Sequence, residues 1–385
     1  MVRARTATTT RSATGARAAA SVGQAGVVSS APGAIPGASG RVRIEAIIQH
    51  QLDNQGAQLV LAQEAGLLTA EAHELFASYI AATAARSDWT GRFAESDGDV
   101  VALCAALLGP EQAFVEASQQ LAQLLFHQMR PRTISAGDLA ALIYSADGDP
   151  QRHIALLKLD PQSRPIRAFQ RVNGRLRVVY GRADNLLPDE RHLQKCALLT
   201  AAAPGASFDI TLLDTQAGPT AAGVAAFFYR GFLGVALAPS PRRLTRRFVD
   251  LCDAWLDAHR AALDPAALFA FYAARRAALD QSDVEVAPFA ERALPGHPEL
   301  RYDLAETLAL NLVEGEPPAR LEQFSVDRAV VSSLLRYVTL ELDGGARLRV
   351  RADRFASLLD PTRIRRTGNR YELTISTLTL REVSD

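Results

Sequence analysis

From residue 41 onward, hydrophobic and polar residues follow patterns that predict strands and helices in mixed order. Runs that are alternating or continuously apolar predict strands, namely VRIEAIIQHQL, AQLVLA, DLAALIYSA, HIALLKLD, IRAFQRV, RLRVVYG and FDITLLD. Between IRAFQRV and RLRVVYG stands Asn173-Gly174, two residues that tolerate positive φ and therefore predict a tight hairpin turn.

Apolar residues at helical spacing predict two helices in the same part of the chain. TAEAHELFASYIAATAAR has Thr69 as its N-cap, and GPEQAFVEASQQLAQLLFHQM has Pro110 in its first turn. DERHLQKCALL is also predicted to be helical, with His192 and Lys195 on one face. We therefore expect helices interspersed among the strands.

The segment PTAAGVAAFFYRGFLGVALAP has the length of a membrane span. However, Arg230 lies near its centre, where a charge is costly in a bilayer, and Gly and Ala dilute the remaining apolar residues. The segment is therefore predicted to be a buried helix that ends near Gly231 or Gly234, and no membrane partner is expected.

Past Pro239 the pattern becomes mainly helical. SPRRLTRRFVDLCDAWLDAHRAAL and DPAALFAFYAARRAALDQ both begin with a capping residue followed by proline, with Ser240 and Asp264 as the caps. A shorter helix, DRAVVSSLLRYV, precedes a predicted hairpin, TLELDGGARLRVR, and an alternating strand, YELTISTLTL.

These elements predict an α+β fold, in which a mixed N-terminal α/β domain precedes a helical segment and a C-terminal domain with a β-hairpin. The predicted boundaries are a disordered basic tail (1–40), an N-terminal α+β domain (41–238), a helical segment (239–320) and a C-terminal α+β domain with an arginine-rich hairpin (321–385). The tail has no acidic residue and few large apolar ones, so a flexible tail, a targeting segment and a start-site error stay open for it.

The amino-acid composition indicates that any strongly charged surface is confined to one part of the molecule. The chain has 42 Lys plus Arg and 42 Asp plus Glu, so its net charge is zero and no overall field attracts a polyanion. The three cysteines form no CxxC pair, which favours a reducing compartment, and we expect a cytoplasmic protein.

Recognisable catalytic motifs are missing from the sequence. Its seven histidines form no HxxxH pair, and GxGxxG, Walker A and GxSxG do not occur, so no catalytic residue, metal or cofactor is predicted. A metal-dependent nuclease of a mobile or defence system stays a less favoured alternative. Lys158 and Asp160 would share a strand face, but the usual acid two residues before the lysine is replaced by Leu156.

A row of arginines in the C-terminal hairpin is the main candidate for binding an anion. Arg347, Arg349 and Arg351 alternate along a predicted strand and so share one face. Their spacing of about 6.7 Å is close to twice the ~3.4 Å rise per phosphate of one DNA strand. Further candidates downstream are Arg354, Arg363, Arg365, Arg366 and Arg370. The alternative is a solvated face of an antiparallel sheet.

The start of the helix after Ser240 is a second candidate. Its first two turns carry Arg242, Arg243, Arg246 and Arg247, the reverse of the charge order that the helix dipole favours. Such a helix start can hold phosphate, whereas ion pairs to Asp250 are the structural alternative. The only lysines, Lys158 and Lys195, both lie in the β-rich part, which suggests a function, but two residues fall that close together often enough by chance that they are weaker candidates.

Several motifs together resemble the bacterial nucleoid-associated protein family of the NdpA/YejK type. They are IIQHQL, HIALLKLD, LLPDERHLQKCALL, FDITLLD, AAFFYRGFLGV and FSVDRAVVSSLLRYVTLELDGGARLRV, in this order, and the resemblance covers about residues 42 to 380. It implies a cytoplasmic bacterial protein at the nucleoid, which binds DNA or DNA-bound machinery and has no assigned reaction. It also suggests a two-part architecture, with a homodimer as the candidate oligomer.

The residues and the resemblance together predict a non-enzymatic nucleoid-associated protein. It is expected to bind double-stranded DNA with low sequence specificity through its local arginine clusters, because contacts to phosphate carry no sequence information. The alternative is a protein-interaction module that recruits a DNA-processing enzyme, in which the arginines meet acidic side chains of that partner. Which DNA form, which partner and which oligomer are involved stays open at this point.

Overall fold

The structure is a computed structural model. It describes residues 41–385 except 96–97, 131–132, 161–166, 181–192, 202–207, 217–223, 314–319, 335–336, 342–346, 352–363, 368–369 and 374–385. After Leu334 it describes the backbone alone. The predicted tail, residues 1–40, lies outside the described residues.

Strands of the first part of the chain build one large sheet and one hairpin. In chain order they are β1 (Val42–Asp53), β2 (Gln58–Val60), β3 (Trp89–Phe93), β4 (Gly137–Ala146), β5 (Asp149–Leu159), β6 (Arg167–Val172), β7 (Arg175–Tyr180), β8 (Leu193–Ala201), β9 (Phe208–Asp214) and β10 (Val235–Pro239). The sheet has the order β10-β3-β9-β8-β5-β4-β1-β2, and each neighbouring pair is antiparallel. β6 and β7 pair with each other.

The predicted strands of this region are confirmed, including the hairpin turn. Asn173 and Gly174 have φ angles of 51° and 80°, as a two-residue turn of this type requires. All but one residue of β4 are buried, so both faces of the centre of the sheet are covered. The combination of helices and antiparallel strands confirms the predicted α+β class.

The helix predicted over DERHLQKCALL is wrong, because its described part, Leu193–Leu199, lies in strand β8 (Leu193–Ala201). Lys195 is thus a strand residue, and His192, its predicted neighbour on a helix face, lies outside the described residues. Leu, Gln, Lys and Ala favour helices in isolation. Here the segment lies between β5 and β9, and its first seven residues are all buried, so burial in the sheet outweighs the local preference.

Three helices accompany this sheet, α1 (Ala70–Arg86), α2 (Asp99–Leu107) and α3 (Glu111–Gln128). α1 begins as predicted, since the Thr69 hydroxyl accepts a hydrogen bond from the Ala72 amide at 3.2 Å. α1 packs against β1, β8 and β9, and α3 packs against β1. Their buried apolar side chains join those of the sheet in one hydrophobic cluster that runs from Val42 to Val235.

His50 on β1 joins the sheet to α3. Its side chain is fully buried, and Nδ1 accepts a hydrogen bond from the Ala62 amide at 3.1 Å. Because Nδ1 is an acceptor, the ring proton lies on Nε2, which donates to the Ser118 hydroxyl at 3.1 Å. Burial lowers the pKa of His50 from 6.5 to about 3, so the imidazole is neutral in the folded protein.

The segment that has the length of a membrane span forms a short π-helix, Phe227–Phe232, followed by β10. The prediction of a buried helix is therefore confirmed only in part, because Gly234, with φ 65°, leads into an edge strand of the sheet. Within the described part of the chain, every helix is either too short or too polar to span a bilayer.

Helices and a small two-stranded sheet build a second hydrophobic cluster. They are α4 (Pro241–His259), α5 (Pro265–Leu279), β11 (Asp283–Glu285), α6 (Val286–Ala293), α7 (Pro298–Asn311), β12 (Gln323–Ser325) and α8 (Arg328–Leu334). The caps of α4 and α5 are confirmed at Ser240 and Asp264. The cluster runs from Leu244 to Val331 and contains stacked and edge-on aromatic rings, among them those of Trp255, Phe271 and Phe289.

A short hydrogen-bonded junction connects the start of α4 to the chain before β3. The Ser240 amide donates to the Asp88 carbonyl at 2.9 Å, and the Ser240 hydroxyl donates to the Ser87 carbonyl at 3.1 Å. The same hydroxyl accepts from the Arg243 amide as the helix cap. The predicted domain boundary near residue 238 falls between the two hydrophobic clusters and stays a prediction.

Two further hairpins lie in the C-terminal part, β13 (Tyr337–Glu341) with β14 (Arg347–Arg351), and β15 (Ile364–Thr367) with β16 (Arg370–Leu373). The strands of the predicted TLELDGGARLRVR hairpin are thus confirmed, although its turn lies outside the described residues. The preceding helix is shorter than predicted, because Tyr337 and Val338 belong to β13.

Candidate functional site

The main arginine row lies on β14, as the alternating sequence predicts. Pairing with β13 places Arg347, Arg349 and Arg351 opposite Glu341, Thr339 and Tyr337. Only one of these opposing residues is acidic, so the three residue pairs together carry more positive than negative charge. That the three guanidinium groups form a phosphate-binding face stays a prediction.

The arginines farther along the chain are distributed over the second C-terminal hairpin. Arg365 and Arg366 lie on β15, and Arg370 lies on β16 opposite Thr367. Arg354 and Arg363, which the sequence also suggested, lie outside the described residues. The strands therefore bring Arg365, Arg366 and Arg370 together on one two-stranded unit.

The arginines at the start of α4 lie beside the junction between α4 and the chain before β3. Arg242 Nε and Arg246 Nη1 lie 3.6 and 3.7 Å from the same carboxylate oxygen of Asp88. The guanidinium of Arg243 stacks over the ring of Trp89 at 4.5 Å, a cation–π contact. Asp88 and Trp89 thus already supply an anion and an aromatic face to this arginine cluster.

The remaining arginine of this cluster is also engaged with protein. Arg247 Nε donates a hydrogen bond to the Asn311 carbonyl at the end of α7, at 3.2 Å. The side chains of Arg242 and Arg246 keep 26% and 42% of their surface exposed, so solvent and solutes still reach both. Any phosphate that binds here has to compete with the Asp88 carboxylate.

Both lysines lie inside the sheet rather than on its surface. Lys158 on β5 and Lys195 on β8 are directly opposed, and they are 1% and 3% exposed. Lys158 Nζ donates to the Ser135 carbonyl at 3.0 Å and to Gln194 Oε1. Burial, and then the charge of Lys195, lowers the pKa of Lys158 to about 8.

Lys195 has its own set of partners. Its ammonium group donates to Asp214 Oδ1 at 2.9 Å and to Gln216 Oε1 at 3.2 Å, and it lies 5.5 Å from the centre of the Phe227 ring. The carboxylate of Asp214 also accepts a hydrogen bond from the Ala225 amide. Asp214 therefore joins the end of β9 both to Lys195 on β8 and to the segment before the π-helix.

Carboxylates and amides surround the lysine pair, so its charge is compensated inside the protein. The pKa of Lys158 is raised by Asp160, Asp214 and Asp138, although less than burial and Lys195 lower it. Gln194 Nε2 donates to Asp160 at 3.3 Å. Among the residues that the structure describes, no three His, Cys, Asp or Glu side chains come together as a metal site. The polar contacts of Lys158 and Lys195 thus connect the ends of β4, β5, β8 and β9.

The predicted hairpin of β6 and β7 also carries arginines, which were not among the predicted binding residues. Arg175 and Arg177 are part of the tetrapeptide Arg-Leu-Arg-Val, which recurs at the start of β14. In β7 the intervening Leu176 is half-buried and Val178 is fully buried, whereas Arg175 is exposed. The recurrence of this tetrapeptide after a hairpin turn was the available signal.

Comparison with known families gives one match. A family model described as nucleoid-associated protein YejK matches residues 48–384, from within β1 almost to the last residue. A comparison with curated proteins found no match. The matched range includes the second hydrophobic cluster, all of the first cluster after Ile47, and every arginine discussed above.

Proposed function

The chain belongs to the nucleoid-associated protein YejK family, and from this membership we propose that it binds the backbone of double-stranded DNA through its arginines. The observation that carries the proposal is the placement of Arg347, Arg349 and Arg351 at alternate positions of β14. Binding of this kind has low sequence specificity and involves no catalytic step. The protein acts in the cytoplasm, at the nucleoid, and as a homodimer.

Strand geometry supports this use of β14. Residues two apart on a strand are separated by about 6.7 Å, so an arginine row of this kind can match every second phosphate of one DNA strand. An arginine guanidinium also binds phosphate through two parallel hydrogen bonds. Since the net charge of the chain is zero, such contacts attract DNA only where arginines cluster.

The test is retention of duplex DNA by the full chain across a series of salt concentrations. Each phosphate contact contributes about 0.9 to the slope of log affinity against log salt. The triple substitution Arg347→Ser, Arg349→Ser and Arg351→Ser should therefore lower that slope by about 2.7. Magnesium is included, and the recovered DNA is inspected for cuts.

A matched control removes the same number of charges elsewhere. Arg92, Arg276 and Arg320 have side chains that are 55%, 34% and 48% exposed and pair with nearby acids. Their triple substitution by serine should leave the slope unchanged. The proposal fails if the full chain shows no salt-sensitive retention, and magnesium-dependent cuts would instead support a nuclease.

A second candidate function is favoured by the neutral net charge of the chain. In it the same arginines bind acidic side chains of a DNA-processing enzyme, and the protein reaches the nucleoid through that partner. The triple β14 variant would then retain whatever DNA binding the protein has. Co-purification with the partner enzyme would be lost in that variant and kept in the control.

A further inference from the structure

We propose that the β6–β7 hairpin is a second DNA-backbone contact, which holds phosphate through Arg171 and Arg175 near its turn. This inference rests on the proposed function and extends it to a surface that carries neither the β14 row nor the α4 arginines. The ligand is the phosphate backbone of a nucleic-acid duplex.

The hairpin carries positive charge alone. Residues 167–180 have the sequence RAFQRVNGRLRVVY, which contains four arginines and no acidic residue. Strands β6 and β7 bring these arginines onto one two-stranded ribbon that closes at Asn173-Gly174. A ribbon of two strands is narrow enough to enter the major groove of B-DNA, which is about 12 Å wide.

One face of the hairpin is anchored to the first hydrophobic cluster. Val178 and Tyr180 on β7 are 0% and 3% exposed, and the Tyr180 hydroxyl donates to Gln49 Oε1 of β1 at 2.9 Å. The Leu176 amide donates to Gln63 Oε1 at 3.0 Å, and the Leu176 carbonyl accepts from the Gln63 amide at 2.7 Å. The base of the hairpin is thus held in place, which reduces the ordering that binding must impose.

The turn end of the hairpin stays accessible. Arg171 is exposed, and its Nη1 donates to the Gly174 carbonyl across the turn at 3.1 Å, so its guanidinium is held at the tip. The side chain of Arg175 is 71% exposed. Both guanidinium groups therefore face solvent beside the two turn residues, which are exposed as well.

The acid near Arg175 is Glu64, which pairs mainly with Arg177. Glu64 lies 2.6 Å from Arg177 Nη2 but 3.8 Å from Arg175 Nη1, and the Glu64 side chain is only 15% exposed. Arg177, at 23% exposure, neutralises Glu64 and fixes the ribbon against the chain before α1. Arg175 keeps most of its charge available to a ligand, because its side chain is 71% exposed and its distance of 3.8 Å from Glu64 is close to the limit of an ion pair.

The test compares the full chain with the double variant Arg171→Ser and Arg175→Ser in the same DNA retention series. Loss of two phosphate contacts should lower the slope of log affinity against log salt by about 1.8. The variant Arg171→Lys with Arg175→Lys keeps both charges and should keep the slope. A double control, Arg92→Ser with Arg276→Ser, removes equal charge elsewhere and should also keep it.

The outcomes separate this inference from the proposed function. If the triple β14 variant lowers the slope and the serine hairpin variant does not, the hairpin inference is overturned and the proposed function stands. If no form of the full chain retains DNA in a salt-sensitive way, both are overturned. The circular dichroism spectrum and the thermal unfolding midpoint of each variant are measured alongside. Should the serine variant fail to fold, Arg171→Gln with Arg175→Gln, which removes both charges but keeps long polar side chains, decides the matter by the same expected loss of about 1.8 in the slope.

Discussion

Replacement of His50 by glutamine should make the stability of this protein less sensitive to acid. In the folded protein the imidazole is buried and neutral, and its pKa is about 3 instead of the ordinary 6.5. The unfolded chain therefore takes up a proton at His50 as pH falls through 6.5, whereas the folded protein does not. Protons thus favour the unfolded state, and stability falls with falling pH in this window.

The size of the effect follows from the two pKa values. Between pH 7 and pH 5 the proton uptake of the unfolded chain lowers the free energy of unfolding by about 2 kcal/mol. A folded-state pKa one unit higher would change this figure little, because the folded protein would still bind almost no proton at pH 5. At pH 7 the His50→Gln variant should itself be less stable by about 1–3 kcal/mol, because the buried Ala62 amide loses a well-placed acceptor.

The assay is urea unfolding followed by circular dichroism at pH 7, 6 and 5, for the natural chain and for His50→Gln. The stability difference between them should shrink by about 2 kcal/mol from pH 7 to pH 5. His127→Gln serves as control, because that side chain is exposed at the end of α3. Parallel pH profiles for the natural chain and His50→Gln would refute the reasoning, since His50 would then titrate alike in both states.

Two further substitutions test the junction and the sheet edge. Asp88→Asn removes the carboxylate between Arg242 and Arg246, so DNA retention at a given salt concentration should rise. The free energy of unfolding, measured in urea, should fall by less than about 1 kcal/mol. Unchanged retention would exclude the start of α4 from the interface. Gly91→Ala would place its Cβ 2.4 Å from Val235 Cγ1 and 2.6 Å from the Ala236 carbonyl, and it should cost about 1–3 kcal/mol in the same assay. Gly296→Ala has nothing within 4 Å of the added carbon and is the control, so equal unfolding midpoints for the two variants would contradict this packing.

Features that depend on neighbouring residues could be predicted from the sequence. The caps Thr69, Ser240 and Asp264 are confirmed because capping depends on one side chain and the following two or three amides. The Asn173-Gly174 turn is confirmed for the same reason, since both residues adopt positive φ at little cost.

Features that depend on distant partners were mispredicted or missed. The residues of β8 favour a helix by themselves, and only the neighbouring β5 and β9 make them a strand. The spacing of Lys158 and Lys195 in the sequence does not show that they lie opposite each other in adjacent strands. Their burial depends on that pairing and could not be predicted without the order of the strands in the sheet. The same holds for Asp88, which meets Arg242 and Arg246 although it stands far from them in the sequence.

The candidate site was predictable in its residue types and only partly in its surroundings. Alternation at Arg347, Arg349 and Arg351 predicted a strand, and β14 confirms it. The β6–β7 hairpin was predicted from its strands and its turn, but Arg175 and Arg177 on it were not predicted as candidate binding residues. A search for arginines that alternate with apolar residues directly after a turn would have found both hairpins.

The two outer strands of the large sheet offer little backbone to an added strand. One is β2, with three residues, and the other is β10, which has five residues and ends in Pro239. Proline has no amide hydrogen to donate, and so short a strand offers few hydrogen bonds to an added one. A second chain therefore gains few backbone hydrogen bonds by pairing with β2 or β10.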